Sequence, residues 1–214
     1  MMASPTSIPY LAAILFSLIM AWIYRRYLGS RKLSILLPYL GYVFIQEMVL
    51  LNVNFFNAIV YNIYRPVSVF VFAWIYFQVP FMKIFRRLIL IGCGIYLAGT
   101  ILNYVFLESI SSTSSYMNLA RGFMIVALGI LVLGRYFYLD SKNEERFWSP
   151  LIWIAGSSII FYSVISIAIS FQAFLSNPKQ LIFGLTLYRF IPRLMSMFMY
   201  PCFAYAFYLC KKIR

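Results

Sequence analysis

Five ionisable side chains lie where charge is costly. Arg65, Arg121, Arg189, Arg193 and Glu47 all fall inside long apolar stretches of the 214-residue chain, and a charge at such a position usually has a task. Four guanidiniums face one carboxylate. Arginine cannot escape burial by deprotonating, so Glu47 can neutralise one or two of them and the surplus must meet solvent or an anion. The chemistry that suits this composition is recognition of a carboxylate, a phosphate or an anionic lipid head group through the forked donors of arginine.

Spacing strengthens the expectation. Asn57, Tyr61, Arg65 and Ser68 recur at helical intervals and share one face, Asn118 and Arg121 are three apart, and Arg189 and Arg193 are four apart. Glu47 falls about 8 Å before the end of its stretch, and Arg189 and Arg193 about 12 and 18 Å into theirs, at 1.5 Å per helical residue. Asn103 closes another stretch at the same side. The candidate ligand-binding set is therefore Glu47, Asn57, Tyr61, Asn62, Arg65, Asn103, Arg121, Tyr188, Arg189 and Arg193. Pro66, Pro192 and Pro201 lie inside the same stretches, and each frees the carbonyl four residues earlier. Kinked helices of this kind face protein or water rather than lipid. Arg65-Pro66 and Pro192-Arg193 set a kink beside a charge twice, which points to a partly hydrated cavity open to one side. The competing reading is structural: Glu47 and the asparagines satisfy the arginines, and Arg121 reaches out to the interface.

Absent residues narrow the chemistry. The chain has no His and no Asp inside an apolar stretch, so the ligands of a membrane zinc hydrolase, the base of a serine protease and the paired acids of an intramembrane aspartyl protease are missing. Cys93, Cys202 and Cys210 are too scattered for a metal site, and no cysteine stands in a connection that could carry an external disulfide. No cofactor is implied, and an enzyme is not expected.

The elements that must position these residues follow from hydropathy. The composition is 64% hydrophobic with a mean hydropathy of +0.86, more apolar area than a soluble surface could cover. Seven stretches, near 7–24, 34–52, 57–79, 85–107, 116–138, 148–174 and 181–209, are each read as long enough to cross a bilayer core about 30 Å thick. They predict an all-α integral membrane protein, a single seven-helix domain over 1–214, with no room for a soluble domain. The first stretch carries its charges after it, at Arg25 and Arg26, and so reads as a retained helix rather than a secretory signal.

Basic residues are sorted by side. Of 18 Lys and Arg, thirteen lie at one set of alternating ends: Arg25, Arg26, Arg31, Lys32; Lys83, Arg86, Arg87; Arg135, Lys142, Arg146; and Lys211, Lys212, Arg214. The opposite connections hold Lys179 alone. Cytoplasmic faces collect basic residues in this way, which predicts an external N-terminus and a cytoplasmic C-terminus. The net charge of +13 is then topological, with some attraction to anionic head groups, and nucleic acid is not an expected partner. Short connections are predicted at Arg25–Lys32, Glu108–Ser115, Asp140–Phe147 and Ser176-Asn177-Pro178, and Gly92, Gly94 and Gly99 are the positions expected to admit a close helix neighbour.

Tyr61-Asn62-Ile63-Tyr64-Arg65-Pro66, Phe147-Trp148 with the later Phe161-Tyr162, and the ending Tyr205-Ala206-Phe207-Tyr208-Leu209-Cys210-Lys211-Lys212 resemble a group of small seven-helix inner-membrane proteins of Bacteroidetes-type bacteria. The likeness implies a bacterial inner-membrane location beside signalling proteins and supplies no activity. That group often carries an acid soon after the proline, where this chain has Val67 and Ser68. Three functions fit these observations. The first is a receptor-like protein binding an anionic or amphipathic ligand from outside and needing a partner protein for its output. The second is a small-solute transporter with a 3+1+3 helix plan, suggested by the echo of Tyr61–Pro66 in Tyr188–Arg193. The third is a structural or assembly role. Association with copies of itself stays open, because Phe- and Leu-rich faces pack equally well on lipid.

Overall fold

A computed structural model describes residues 7–52, 57–109, 115–138, 142–176 and 181–212, without the side chains of 50–52, 57, 142–148 and 173. The described residues are all-α apart from one hairpin of two-residue strands. Its elements are α1 (Ser7–Ile23), α2 (Arg25–Ser30), α3 (Leu36–Asn52), α4 (Asn57–Gln78), a 3-10 segment (Pro80–Phe85), α5 (Arg86–Leu102), a π turn (Asn103–Leu107), α6 (Ser115–Tyr138), α7 (Lys142–Ser170), α8 (Gln172–Leu175), β1 (Leu181–Ile182), β2 (Leu185–Thr186) and α9 (Leu187–Lys212). Each of the seven apolar stretches contains a helix. Four are long and apolar enough to cross a membrane, namely Ala58–Gln78, Pro80–Leu107, Ser115–Tyr138 and Ser149–Ser170, which marks an integral membrane protein. The helices α1 and α3 are apolar but shorter, and α9 is interrupted by Pro192 and Pro201 and carries basic residues in its last turn.

Three expectations for the connections are corrected. Arg25–Lys32 is not a simple turn, since α2 occupies most of it. Asp140–Phe147 is largely the start of α7, which begins at Lys142; its charged residues are good helix formers, and Pro150, inside the helix, leaves the carbonyl of residue 146 without its helical donor. The last stretch does not begin as helix at 181. Leu181 and Ile182 pair antiparallel with Thr186 and Leu185, through Phe183 and Gly184, both at positive φ (50° and 76°), the backbone signature of a two-residue hairpin turn. Residues 110–114 and 177–178, in the other two predicted connections, lie outside the described residues.

The most extensive packing is of α6 on α7, α7 on α9 and α1 on α9. Small residues make the first of these close, but not the ones the sequence pointed to. A Cβ on Gly122 would stand 2.1 Å from Ser166 Oγ, and one on Gly129 2.7 Å from Ile159 Cγ1, so α6 lies on α7 with no space for a side chain at either position. In α5, by contrast, Gly94 and Gly99 face nothing within 4 Å, and Gly92 meets only the flexible end of Met124. The middle of the bundle is filled by rings. Phe72 of α4 stands edge-on to Tyr162 of α7 at 6.0 Å and to Phe203 of α9 at 6.4 Å, geometries favoured by the ring quadrupoles.

One end of the bundle gathers the basic residues. Lys32 Nζ donates to the Gln78 carbonyl (3.2 Å) and Arg86 Nε to the Phe77 carbonyl (3.0 Å), while Arg31 lies beside Cys210 of α9 and Tyr24 packs on Tyr208. Phe81 packs on Tyr136, next to Arg135 in the last turn of α6. These contacts cap carbonyls at helix ends and hold the tips of α1, α4, α6 and α9 together. At the other end Arg193 donates to Ser7 Oγ at 3.0 Å, and Ser115 Oγ donates to Gln172 Oε1 at 3.4 Å.

Candidate functional site

The polar residues of the interior meet in the half of the bundle away from the basic end, in two adjoining groups. The first surrounds Glu47 of α3. Tyr61 of α4 donates its hydroxyl to Glu47 Oε1 at 3.1 Å, Tyr10 of α1 hydrogen-bonds the same carboxyl, and Arg193 of α9 lies within electrostatic reach of it. Arg193 is itself tied to Ser7. Four helices thus converge on Glu47, and its charge is met by two phenols and a guanidinium.

The second group is built on Arg65 of α4 and Arg121 of α6, close enough to repel one another. Both are buried, at 5% and 8% exposure. Arg65 donates to Asn62 Oδ1 one turn earlier, and its backbone carbonyl accepts from Ser68 Oγ at 2.7 Å, which turns that serine away from the site. Pro66 leaves the carbonyl of Asn62 without its helical donor, so the freed carbonyl and the charge occupy the same stretch of helix. The guanidinium of Arg121 lies over two rings, its carbon 5.5 Å from the centroid of Tyr64 and 5.4 Å from that of Tyr162, cation–π contacts that help to hold the charge in place. The Tyr64 hydroxyl is within 2.8 Å of the Tyr39 hydroxyl. Tyr96 of α5, Tyr104 of the π turn and Tyr188 of α9 stand beside the arginine pair. Tyr200 of α9 bridges the groups, close to Glu47 on one side and to Tyr64, Tyr162 and Arg121 on the other.

Among the described residues no carboxylate stands beside Arg65 and Arg121. Glu47 is engaged as above, and Glu108 Oε2 accepts from Asn103 Nδ2 at 2.9 Å. Arg121 Nε and the hydroxyls of Tyr96 and Tyr104 are buried and find no hydrogen-bond partner among the described residues. Buried donors left unmet cost about 1–3 kcal/mol each, so the pair is a local excess of donors and of positive charge.

The sequence-derived set is therefore divided. Asn62, Arg65, Arg121 and Tyr188 come together around the arginine pair; Glu47, Tyr61 and Arg193 form the neighbouring clamp. Asn103 is buried but serves Glu108 at the end of α5. Arg189 is exposed, a correction with a plain cause: the hairpin displaces the helix start to Leu187, so Arg189 sits in the first turn of α9 rather than deep within it. Asn57 begins α4, and its side chain lies outside the described ones. The residues the sequence reading missed are tyrosines: Tyr10, Tyr39, Tyr64, Tyr96, Tyr104, Tyr162 and Tyr200. The signal that could have found Tyr64 is its place between Tyr61 and Arg65 on the polar turn before Pro66.

Helical composition, apolar length and a polar interior define the class, an integral membrane protein with a buried arginine site. No family model, curated protein or solved structure matches the chain.

Proposed function

We propose that the chain is a non-enzymatic, polytopic protein of a bacterial inner membrane that binds an anionic or amphipathic molecule from the outer side, between Arg65 and Arg121. The observation that carries this reading is the juxtaposition of two buried guanidiniums with no carboxylate beside them among the described residues. A structural role would favour pairing each with an acid, as breaking such a pair is costly; an unneutralised pair suits an anion that comes and goes. Seven crossings with an external N-terminus and a cytoplasmic C-terminus are part of the proposal. They are supported by the thirteen-to-one sorting of basic residues and by the meeting of Arg31, Lys32 and Arg86 at one end of the bundle. Connections this short leave output to a partner protein.

Orientation has a direct check. In a background lacking Cys93, Cys202 and Cys210, a cysteine at Ser109 is expected to react with an impermeant maleimide added outside intact cells, and one at Ser30 to react only after lysis. The opposite pattern would invert the site's access. The binding reading is checked by a thermal-stability screen of anionic metabolites and lipids on the purified protein, with saturable stabilisation expected for at least one. The transporter alternative draws support from the helix-internal prolines beside Arg65 and Arg193 on α4 and α9. It requires flux of the stabilising solute into proteoliposomes, whereas a sensor binds without flux.

A further inference from the structure

We propose that the group held between Arg65 and Arg121 is a phosphoryl group, the head of a phosphate monoester, rather than a carboxylate; this rests on the anion-binding reading above. The argument is a match of donors to acceptors. The site offers two guanidiniums, both more than nine-tenths buried, and two phenols, Tyr96 and Tyr104, adjacent to Arg65. Arg121 Nε and both phenol hydroxyls lack a partner among the described residues. The rings of Tyr64 and Tyr162 lie beside Arg121, and an anion is received along the edge of the guanidinium, in the plane of its N–H bonds.

A carboxylate has two oxygens, which one arginine fork already occupies. It would leave the second guanidinium and the phenols without acceptors, and one positive charge over. A phosphate monoester presents three terminal oxygens and a charge of about −1.5 to −2 near neutral pH. That is enough to accept from two forks and a phenol together and to cancel both guanidiniums. The π turn contributes to the fit. It follows α5 directly and carries Tyr104, and a single turn of this kind resets the direction of the side chains it bears. The same phosphoryl chemistry is offered by a soluble phosphate monoester and by a lipid with a bare phosphate head, and the experiment separates them.

The test uses the full chain in phosphatidylcholine nanodiscs with phenyl phosphate and benzoate, two probes that share a ring and differ in the anionic group. Phenyl phosphate is expected to bind at least about tenfold more tightly than benzoate, the effect of one additional charge-assisted contact. Arg121→Lys keeps the charge but removes the fork and Nε, and should weaken phenyl phosphate about tenfold. Tyr104→Phe removes only a hydroxyl, beside Arg65, so it should fold normally and weaken phenyl phosphate about threefold or more while leaving benzoate unchanged. Replacing part of the phosphatidylcholine with phosphatidate distinguishes the sources: a lipid head group will displace phenyl phosphate, whereas a site for soluble esters will bind it regardless. Equal binding of benzoate and phenyl phosphate, both weakened by Arg121→Lys, would overturn the phosphoryl assignment and leave an anion site standing. No saturable binding of either probe or of phosphatidate to a folded protein would overturn both.

Discussion

Glu47→Leu is expected to lower stability by about 3–5 kcal/mol, the largest loss from any single change in the polar interior. The carboxylate is the acceptor for Tyr61 and Tyr10 and the counter-charge for Arg193. Leucine would leave two phenols without their acceptor and a guanidinium facing apolar groups, at a point where α1, α3, α4 and α9 converge. Glu47→Gln should be milder, because its amide oxygen still accepts from a phenol, and the cost would be mainly that of the lost charge. Combining Glu47→Gln with Arg193→Gln should recover part of that cost, giving a favourable coupling between the two sites. Thermal unfolding of the purified variants measures this. Additive losses in the double variant would mean that Glu47 and Arg193 act independently.

Gly122→Val should be nearly as severe, at about 3 kcal/mol, through overpacking. The first carbon of any side chain at Gly122 meets Ser166 Oγ at 2.1 Å, with the Tyr162 carbonyl 3.4 Å away, and valine adds two further carbons. The strain would part α6 from α7 next to Arg121, so it should also disturb the site. Gly122→Ala is expected to be destabilising alone and substantially relieved by Ser166→Ala, since the clash is with that hydroxyl oxygen. Gly94→Ala and Gly99→Ala, which have open space around the added carbon, should change unfolding temperature little. Equal effects at Gly122 and Gly94 would contradict the close α6–α7 packing.

The helices were legible in the sequence because apolar length is a local property: α1, α3, α4 and α6 fall within two residues of the stretches read from hydropathy alone. What escaped the sequence depends on three-dimensional context. Phe183-Gly184 makes a hairpin inside an apolar run, and hydropathy does not distinguish a strand from the first turn of a helix there. Arg189 and Arg193 share a helix face by spacing, yet one is exposed and the other partly buried, because the helix starts later than the apolar stretch. The glycines of α5 and of α6 look alike in sequence, and only the neighbour α7 makes Gly122 and Gly129 matter. For the site, the arginines and Glu47 stood out because charge in an apolar stretch is rare. The tyrosines that hold them did not, since tyrosine serves interfaces and interiors alike. The separation into a neutralised Glu47 clamp and an unneutralised Arg65–Arg121 pair is a matter of which helices adjoin, and no spacing rule within one helix contains it.

The most direct test of the arginine pair compares the unfolding temperature of wild type and Arg65→Gln, each with and without a stabilising anion. If the pair exists for an anion, wild type will gain stability with the anion in a saturable way. Arg65→Gln will lose that gain and, with the mutual repulsion removed, will be at least as stable as wild type when no anion is present. A wild type that responds to no anion, together with an Arg65→Gln protein markedly less stable than wild type, would make the pair a structural element and contradict the account.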